Sequence, residues 1–307
     1  MQSTLATAVT FHGTGLHSGR PARLRLVPAP VDHGLWFRRT DLPPRASMVP
    51  AQWDAVVQGE LCTRIANADG TEVSTIEHVM AAVAGCGIQN LLIEIDGPEV
   101  PILDGSAAPF VARILSAGTV RQGAPVRALE ILDVIEVRNG PALARLEPAG
   151  GLEIDFSIDF ADAAIGRQEK RLNLANGTFV HELCDSRTFC RQADVEAMRA
   201  RGLALGGTYD NAVVVNGAEV LSPGGLRHAD EAVRHKMLDA LGDLALAGAP
   251  ILGRYTGVRS GHALTNALLR TLFARKGAWR MIQADAALLA RLPGAGLMPE
   301  DAPRRAA

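Results

Sequence analysis

Apolar and polar residues along the chain change period several times, and each change marks an element. Residues 5–11 and 22–27 alternate, the two-residue period of half-buried strands. Between them, residues 13–20 (GTGLHSGR) form a glycine-punctuated loop, and the prolines of 42–48 mark a connecting turn. The period lengthens over residues 71–85 (TEVSTIEHVMAAVAG), which predicts a helix capped by Ser74 or Thr75 with His78 in its first turn. A strand is expected at 89–95, a tight turn around Asp104-Gly105, and a helix over 107–117 opened by Ser106.

Residues 118–125 (GTVRQGAP) are short, polar and end in proline, and they predict a domain boundary. The pattern then restarts. Strands are expected at 129–137, 142–148 and 152–159, followed by a polar stretch at 161–171 and a helical segment at 179–183 that SRTF (186–189) ends. A helix is predicted over 194–201. The run 202–215 (GLALGGTYDNAVVV) passes through a double glycine into an apolar strand. Val233, Met237, Leu238, Leu241 and Leu244 then recur at helical spacing, before a strand at 251–258 and a last helix at 263–272. Each half offers strands, then helices. The class is therefore α+β, with domains at 1–122 and 126–295 and a mobile tail at 296–307.

Composition narrows the function. Of 307 residues, 48% are apolar, enough for a sizeable core. A net charge of -2 argues against a general nucleic-acid binder. The N-terminus has no basic start followed by an apolar run, so no secretory signal is expected. No apolar stretch is long enough to span a membrane, so no membrane anchor is expected. Cys62, Cys86, Cys184 and Cys190 form no CxxC pair, which fits a reduced, cytoplasmic protein.

The chemistry concentrates in 233–243 (VRHKMLDALGD). His235, Asp239 and Asp243 stand at i, i+4 and i+8 and share one helix face, with Cβ atoms about 5–6 Å apart between neighbours. One divalent ion can touch His235 and Asp239 together. Zinc takes about four ligands, and His78 is the best third donor. Two histidines and a carboxylate leave a fourth position for water, the pattern of catalytic zinc. Glu77, beside His78, reads either as the base that takes the water's proton or as the partner in a capping box with Ser74. His262 is a candidate acid, and Asp243 either pairs with it or solvates a helix end. Lys236 projects about 100° from His235 and reads as a solvated lysine. His17, between glycines, reads as a local hydrogen-bonding group. HExxH is absent.

STIEHVMAA, ILDGSAAPF, SRTF, GLALGGTYDNAVVV, VRHKMLDALGDL and SGHALTNALL, in this order, resemble the UDP-3-O-acyl-N-acetylglucosamine deacetylase family, zinc amidases of lipid A synthesis. The resemblance covers about residues 3–290 and implies a two-domain β-α-α-β sandwich, with helix layers between two sheets. It implies His78, His235 and Asp239 as ligands of zinc, with ferrous iron as an alternative. It further implies Glu77 as base, His262 as acid, Asp243 orienting His262, Thr188 at the oxyanion and Lys236 near the leaving amine. Phe189 would border the sugar. A β-α-β insert at about 190–214 would pass the 3-O-acyl chain, with Val195, Leu203, Ala204, Thr208 and Ala212 as lining. Cys190-Arg191 departs from the family's glycine and apolar pair at the passage mouth. The implied partner is a UDP-linked acylated amino sugar, and a monomer is expected. The competing reading is a non-catalytic UDP-sugar or metal binder with a closed structural zinc.

Overall fold

Alternating side chains build the first sheet. In the computed structural model, which describes residues 1–59 and 61–303, Ala22, Leu24 and Leu26 of strand Pro21–Pro28 are buried while Arg23 and Arg25 face outward. This strand belongs to a five-stranded sheet ordered Val9–Thr14, Pro21–Pro28, Leu91–Ile95, Leu35–Arg39 and Met48–Pro50. The second sheet has seven strands, arranged around Ile251–Val258. That strand pairs antiparallel with Ala142–Glu147 and parallel with both Arg127–Ile131 and Leu152–Asp159.

Helices α1 (Glu77–Gly85), α2 (Ala108–Ala117), α3 (Thr178–Glu182), α4 (Gln192–Ala200), α5 (Glu231–Leu244) and α6 (His262–Ala274) complete the frame. A nine-residue helix does not persist alone in water. Burial holds α1: Val79, Met80 and Val83 are fully enclosed, and such side chains contribute about 1.5–3 kcal/mol each. Ala81 and Ala82 are buried as well, and α1 packs against α5. One apolar core runs through this helix layer. It takes in Leu26 and Ile93 of the first sheet and Ile154, Phe156 and Tyr255 of the second. The expected α+β sandwich is the observed architecture.

Several boundaries differ from expectation, each for a local reason. The strand expected at 5–11 is two strands. Ser3–Leu5 leaves the sheet to pair with Thr119–Arg121, inside the stretch read as a linker. The strand expected at 129–137 breaks into Arg127–Ile131 and Ile135–Asn139. Polar Arg167–Asn173 is an edge strand against Leu152–Asp159, and Trp279–Gln283 adds a strand that the pattern did not signal. Glu72–Ser74 is a strand and Thr75 has φ +57°, so neither Ser74 nor Thr75 caps α1. Over the stretch 190–214, Phe189–Arg191 and Val213–Asn216 pair in parallel with α4 between them, a β-α-β unit. Of the tail, Pro299–Asp301 forms a 3-10 turn, and residues 304–307 lie outside the described residues.

Candidate metal centre and cleft

Two helices bring the site together. Gly242 of α5 faces the backbone of Glu77 at the start of α1, where an added Cβ would lie 2.1 Å from the Glu77 carbonyl oxygen. With no side chain between them, the helices close and His78 meets the His235/Asp239 face. His235 Nε2 lies 3.3 Å and His78 Nε2 3.7 Å from Asp239 Oδ1. Each of the three offers a ligand atom within 4.8 Å of the others, and all three are buried. The two imidazoles meet edge to face, with centroids 5.0 Å apart.

Neighbours fix which atoms face inward. His235 Nδ1 lies 3.0 Å from the Ser186 carbonyl. The carbonyl can only accept, so Nδ1 carries the proton and Nε2 presents its lone pair. Lys236 Nζ donates to Asp239 Oδ2 at 2.7 Å, leaving Oδ1 buried with no hydrogen bond. Lys236 therefore does not behave as the solvated lysine its helical position predicts. Its long stem curls back to a residue three further on.

Beside this trio stands an acid-base pair. His262 Nδ1 lies 2.8 Å from Asp243 Oδ2, and Asp243 Oδ1 accepts from the Thr63 hydroxyl. Asp243 thus pairs with His262 and does not serve as a solvated helix end. His262 Nε2 then points at Glu77 Oε1 and Asp239 Oδ2, 3.9 Å from each. Glu77 is buried, and its Oε2 accepts from the Thr63 peptide N–H at 3.0 Å, so the capping-box reading fails.

Burial and charge set the protonation states. Burial pushes the Glu77 carboxyl up to about 7, against the pull of His262. Burial and the neighbouring His235 push His78 down to about 3, which keeps its imidazole neutral. Burial alone would lower His262, but Asp243 outweighs it and holds the imidazole at about 9. Burial alone would raise Asp239, yet His235 and Lys236 keep it well below the usual carboxylate range.

The trio fits a divalent ion. A tetrahedral ion with bonds of about 2.0–2.2 Å holds its ligands roughly 3.3–3.6 Å apart, close to the two separations seen here. A buried carboxylate oxygen without a hydrogen-bond donor, faced by the Nε2 atoms of two imidazoles, is otherwise a costly arrangement.

A cleft of about 970 Å³ opens over the site. Thr188, Phe189, Val195, Ala204, Thr208 and Ala212 line it together with Glu77, His78, His235, Lys236, Asp239 and His262. Leu203 is not among the lining residues; its N–H is tied to Met198 O on the helix side. The rings of Phe189 and His235 meet edge to face, with centroids 6.2 Å apart. Cys190 and Arg191 border the same space, and Arg191 Nε bonds Asp162 at 2.6 Å. His17 also faces the cleft. Its ring nitrogens have no hydrogen-bond partner, and it is its peptide N–H that donates to Glu99 at 2.7 Å, contrary to the expectation of a hydrogen-bonding ring.

Sequence reasoning missed Thr63, which holds Glu77 and Asp243 at once, the Ser186 carbonyl, and Phe160, whose ring meets Phe189 at 5.4 Å. The Glu231 carboxylate was missed as well. It accepts from the peptide N–H and the guanidinium of Arg187 and from the Arg227 peptide N–H, and so anchors the loop carrying Ser186 and Thr188.

A buried His₂-carboxylate trio with a second carboxyl group and an imidazolium at its side, on an α+β frame, has the make-up of metal-assisted hydrolases. Residues 2–274 match the family model of the UDP-3-O-acyl N-acetylglycosamine deacetylases. The UDP-3-O-acyl-N-acetylglucosamine deacetylase of Anaeromyxobacter sp. (strain Fw109-5) is 49% identical over 97% of this chain and 98% of its own. Proteins of the same name from Shewanella oneidensis and Shewanella woodyi are 44% and 45% identical, covering 95% and 92% of this chain and 97% and 93% of their own. The chain belongs to the UDP-3-O-acyl N-acetylglycosamine deacetylase family.

Proposed function

We propose that this chain removes the N-acetyl group from UDP-3-O-[(3R)-3-hydroxyacyl]-N-acetylglucosamine, giving the free amine and acetate, the committed step of lipid A biosynthesis. The observation that carries the reading is the bare, buried Asp239 Oδ1 faced by two histidines, with Glu77 and His262 within reach of the same point. His78, His235 and Asp239 would hold zinc, and the same donors suit ferrous iron. Bound there, the ion supplies a Lewis acid that polarises the acetyl carbonyl and acidifies water.

The chain's own residues do the rest. Glu77, steadied by Thr63 through Oε2, takes the proton from the attacking water as its oxygen bonds the carbonyl carbon. The Thr188 hydroxyl supports the developing oxyanion. Asp243 engages His262 Nδ1, so Nε2 is the atom that hands a proton to the leaving nitrogen as the C–N bond breaks. Lys236 neutralises the remaining charge on Asp239 and borders the amine. Phe189 borders the sugar, and Val195, Ala204, Thr208 and Ala212 guide the 3-O-acyl chain. In this reading the chain divides at 1–122 and 126–295, with the site where α1 meets α5, and acts as a cytoplasmic monomer. No helix among the described residues is long and apolar enough to cross a membrane.

The test is direct. Zinc-loaded protein given the acylated UDP-sugar should release one acetate per free amine formed. Absence of acetate, with zinc bound and the chain folded, would contradict the activity.

A further inference from the structure

His262 is the first residue of α6, and its cap, Gly261, has no side chain with which to hold the helix start. The chain enters this turn through Arg259, whose φ of +47° lies in the left-handed region that L-residues avoid. Such a conformation persists only where surrounding bonds over-determine it. Two lie on the backbone and surface side: Arg259 N–H donates to Ser157 O at 2.8 Å, and its guanidinium pairs with Asp159. The third set lies inside the protein.

Tyr255, on the strand Ile251–Val258, is fully buried, and so are Ser260 and Thr265. The Tyr255 hydroxyl donates to Ser260 Oγ at 3.1 Å and lies 2.9 Å from Thr265 Oγ1. A phenol has one proton. Either oxygen can donate in the Tyr255–Thr265 contact, and the Thr265 hydroxyl also lies 3.3 Å from Gly261 O, at the cap of the same helix. Ser260 stands two residues before His262 and Thr265 three after it, so one hydroxyl ties the chain on both sides of the imidazole. A phenylalanine would fill the same apolar space. A buried hydroxyl is retained at no loss only where its hydrogen bonds are made.

We infer that Tyr255 is a positioning residue for the proton donor, its hydroxyl clasping Ser260 and Thr265 so that the central sheet strand fixes the first turn of α6. His262 is then held from two sides. Asp243 of α5 engages its Nδ1, and Tyr255 fixes the backbone from which the ring projects. The inference rests on His262 being the acid of the proposed reaction. Small displacements of a proton donor cost rate without weakening substrate binding.

The experiment is a double-mutant cycle in the full zinc-loaded chain with Tyr255→Phe, His262→Ala and the pair. Metal content, thermal midpoint, kcat and KM are read for each. Tyr255→Phe is expected to keep its zinc, hold KM within about twofold and lose roughly tenfold in kcat. In the His262→Ala background the same change should cost nothing further, because the clasp acts through the imidazole. Thr265→Ser should retain the wild-type rate, and Thr265→Val should copy Tyr255→Phe. A Tyr255→Phe enzyme with unchanged kcat overturns the inference. So does a loss that repeats in full without His262, or one that tracks lost zinc or unfolding. If His262→Ala itself retains the wild-type rate, the acid assignment fails first, and this outcome is distinct from a failure of the clasp alone.

Discussion

Gly242 rests against the peptide of Glu77, with no room for a methyl group between them. This contact sets how closely α5 approaches α1, and so whether ligands from two distant parts of the chain meet. Gly242→Ala therefore forces the helices apart at the metal site. Overpacking of this kind costs about 1–3 kcal/mol. The variant is expected to melt several degrees lower and to bind zinc more weakly, as read by calorimetry and metal titration. Wild-type zinc affinity in a folded Gly242→Ala protein would refute the role given to this contact.

Glu77→Gln keeps the side chain's size and its acceptor for the Thr63 N–H but removes the base. Zinc content should stay near wild type, while turnover falls by about 10²–10⁴-fold, the usual share of general acid-base catalysis. Full turnover with zinc retained would end the assignment.

The Glu231–Arg187 pair gives a pH signature in stability. Burial would raise the Glu231 carboxyl, but Arg187 and the peptide N–H groups outweigh it and hold it below its ordinary value. A carboxyl depressed in the folded state stabilises fully above its unfolded value of about 4.3. That contribution disappears as pH falls through the lower folded value. Glu231→Gln leaves buried Arg187 without its counter-charge and should cost about 3–5 kcal/mol near neutrality. The gap in unfolding free energy between wild type and variant should narrow as pH drops below 4.3. A gap independent of pH would contradict the pairing.

Metal binding should also stabilise the fold. At a hundredfold excess over Kd, a ligand specific to the native state adds about 2.7 kcal/mol. Zinc should raise the wild-type melting temperature and leave that of His78→Ala nearly unmoved. An equal rise in both would place the ion elsewhere.

Features written in side-chain type and spacing were legible beforehand. The His235/Asp239/Asp243 face follows from helical geometry, and those residues do share a face, with Asp243 meeting His262 and Asp239 meeting His78. Features carried by backbone atoms were not. The Ser186 carbonyl that sets the His235 tautomer and the Thr63 N–H that holds Glu77 have no residue-type signal. Glu77 was ambiguous because a capping box and a catalytic base share one spacing; the left-handed Thr75 and the strand before it remove only the capping box. Lys236 was misread because a helical wheel ranks direction at Cβ and ignores a four-carbon stem. Edge strand Arg167–Asn173 hid behind its polarity, since an edge needs little apolar surface.

X-ray absorption at the zinc edge counts the ligand atoms around the ion and so reads the coordination by His78, His235 and Asp239 itself. Zinc-loaded protein should show one zinc per chain with two imidazole nitrogens and one carboxylate oxygen from His78, His235 and Asp239, plus an oxygen that exchanges with solvent. A sphere closed by four protein atoms, or one that is unchanged in His78→Ala, would contradict this coordination.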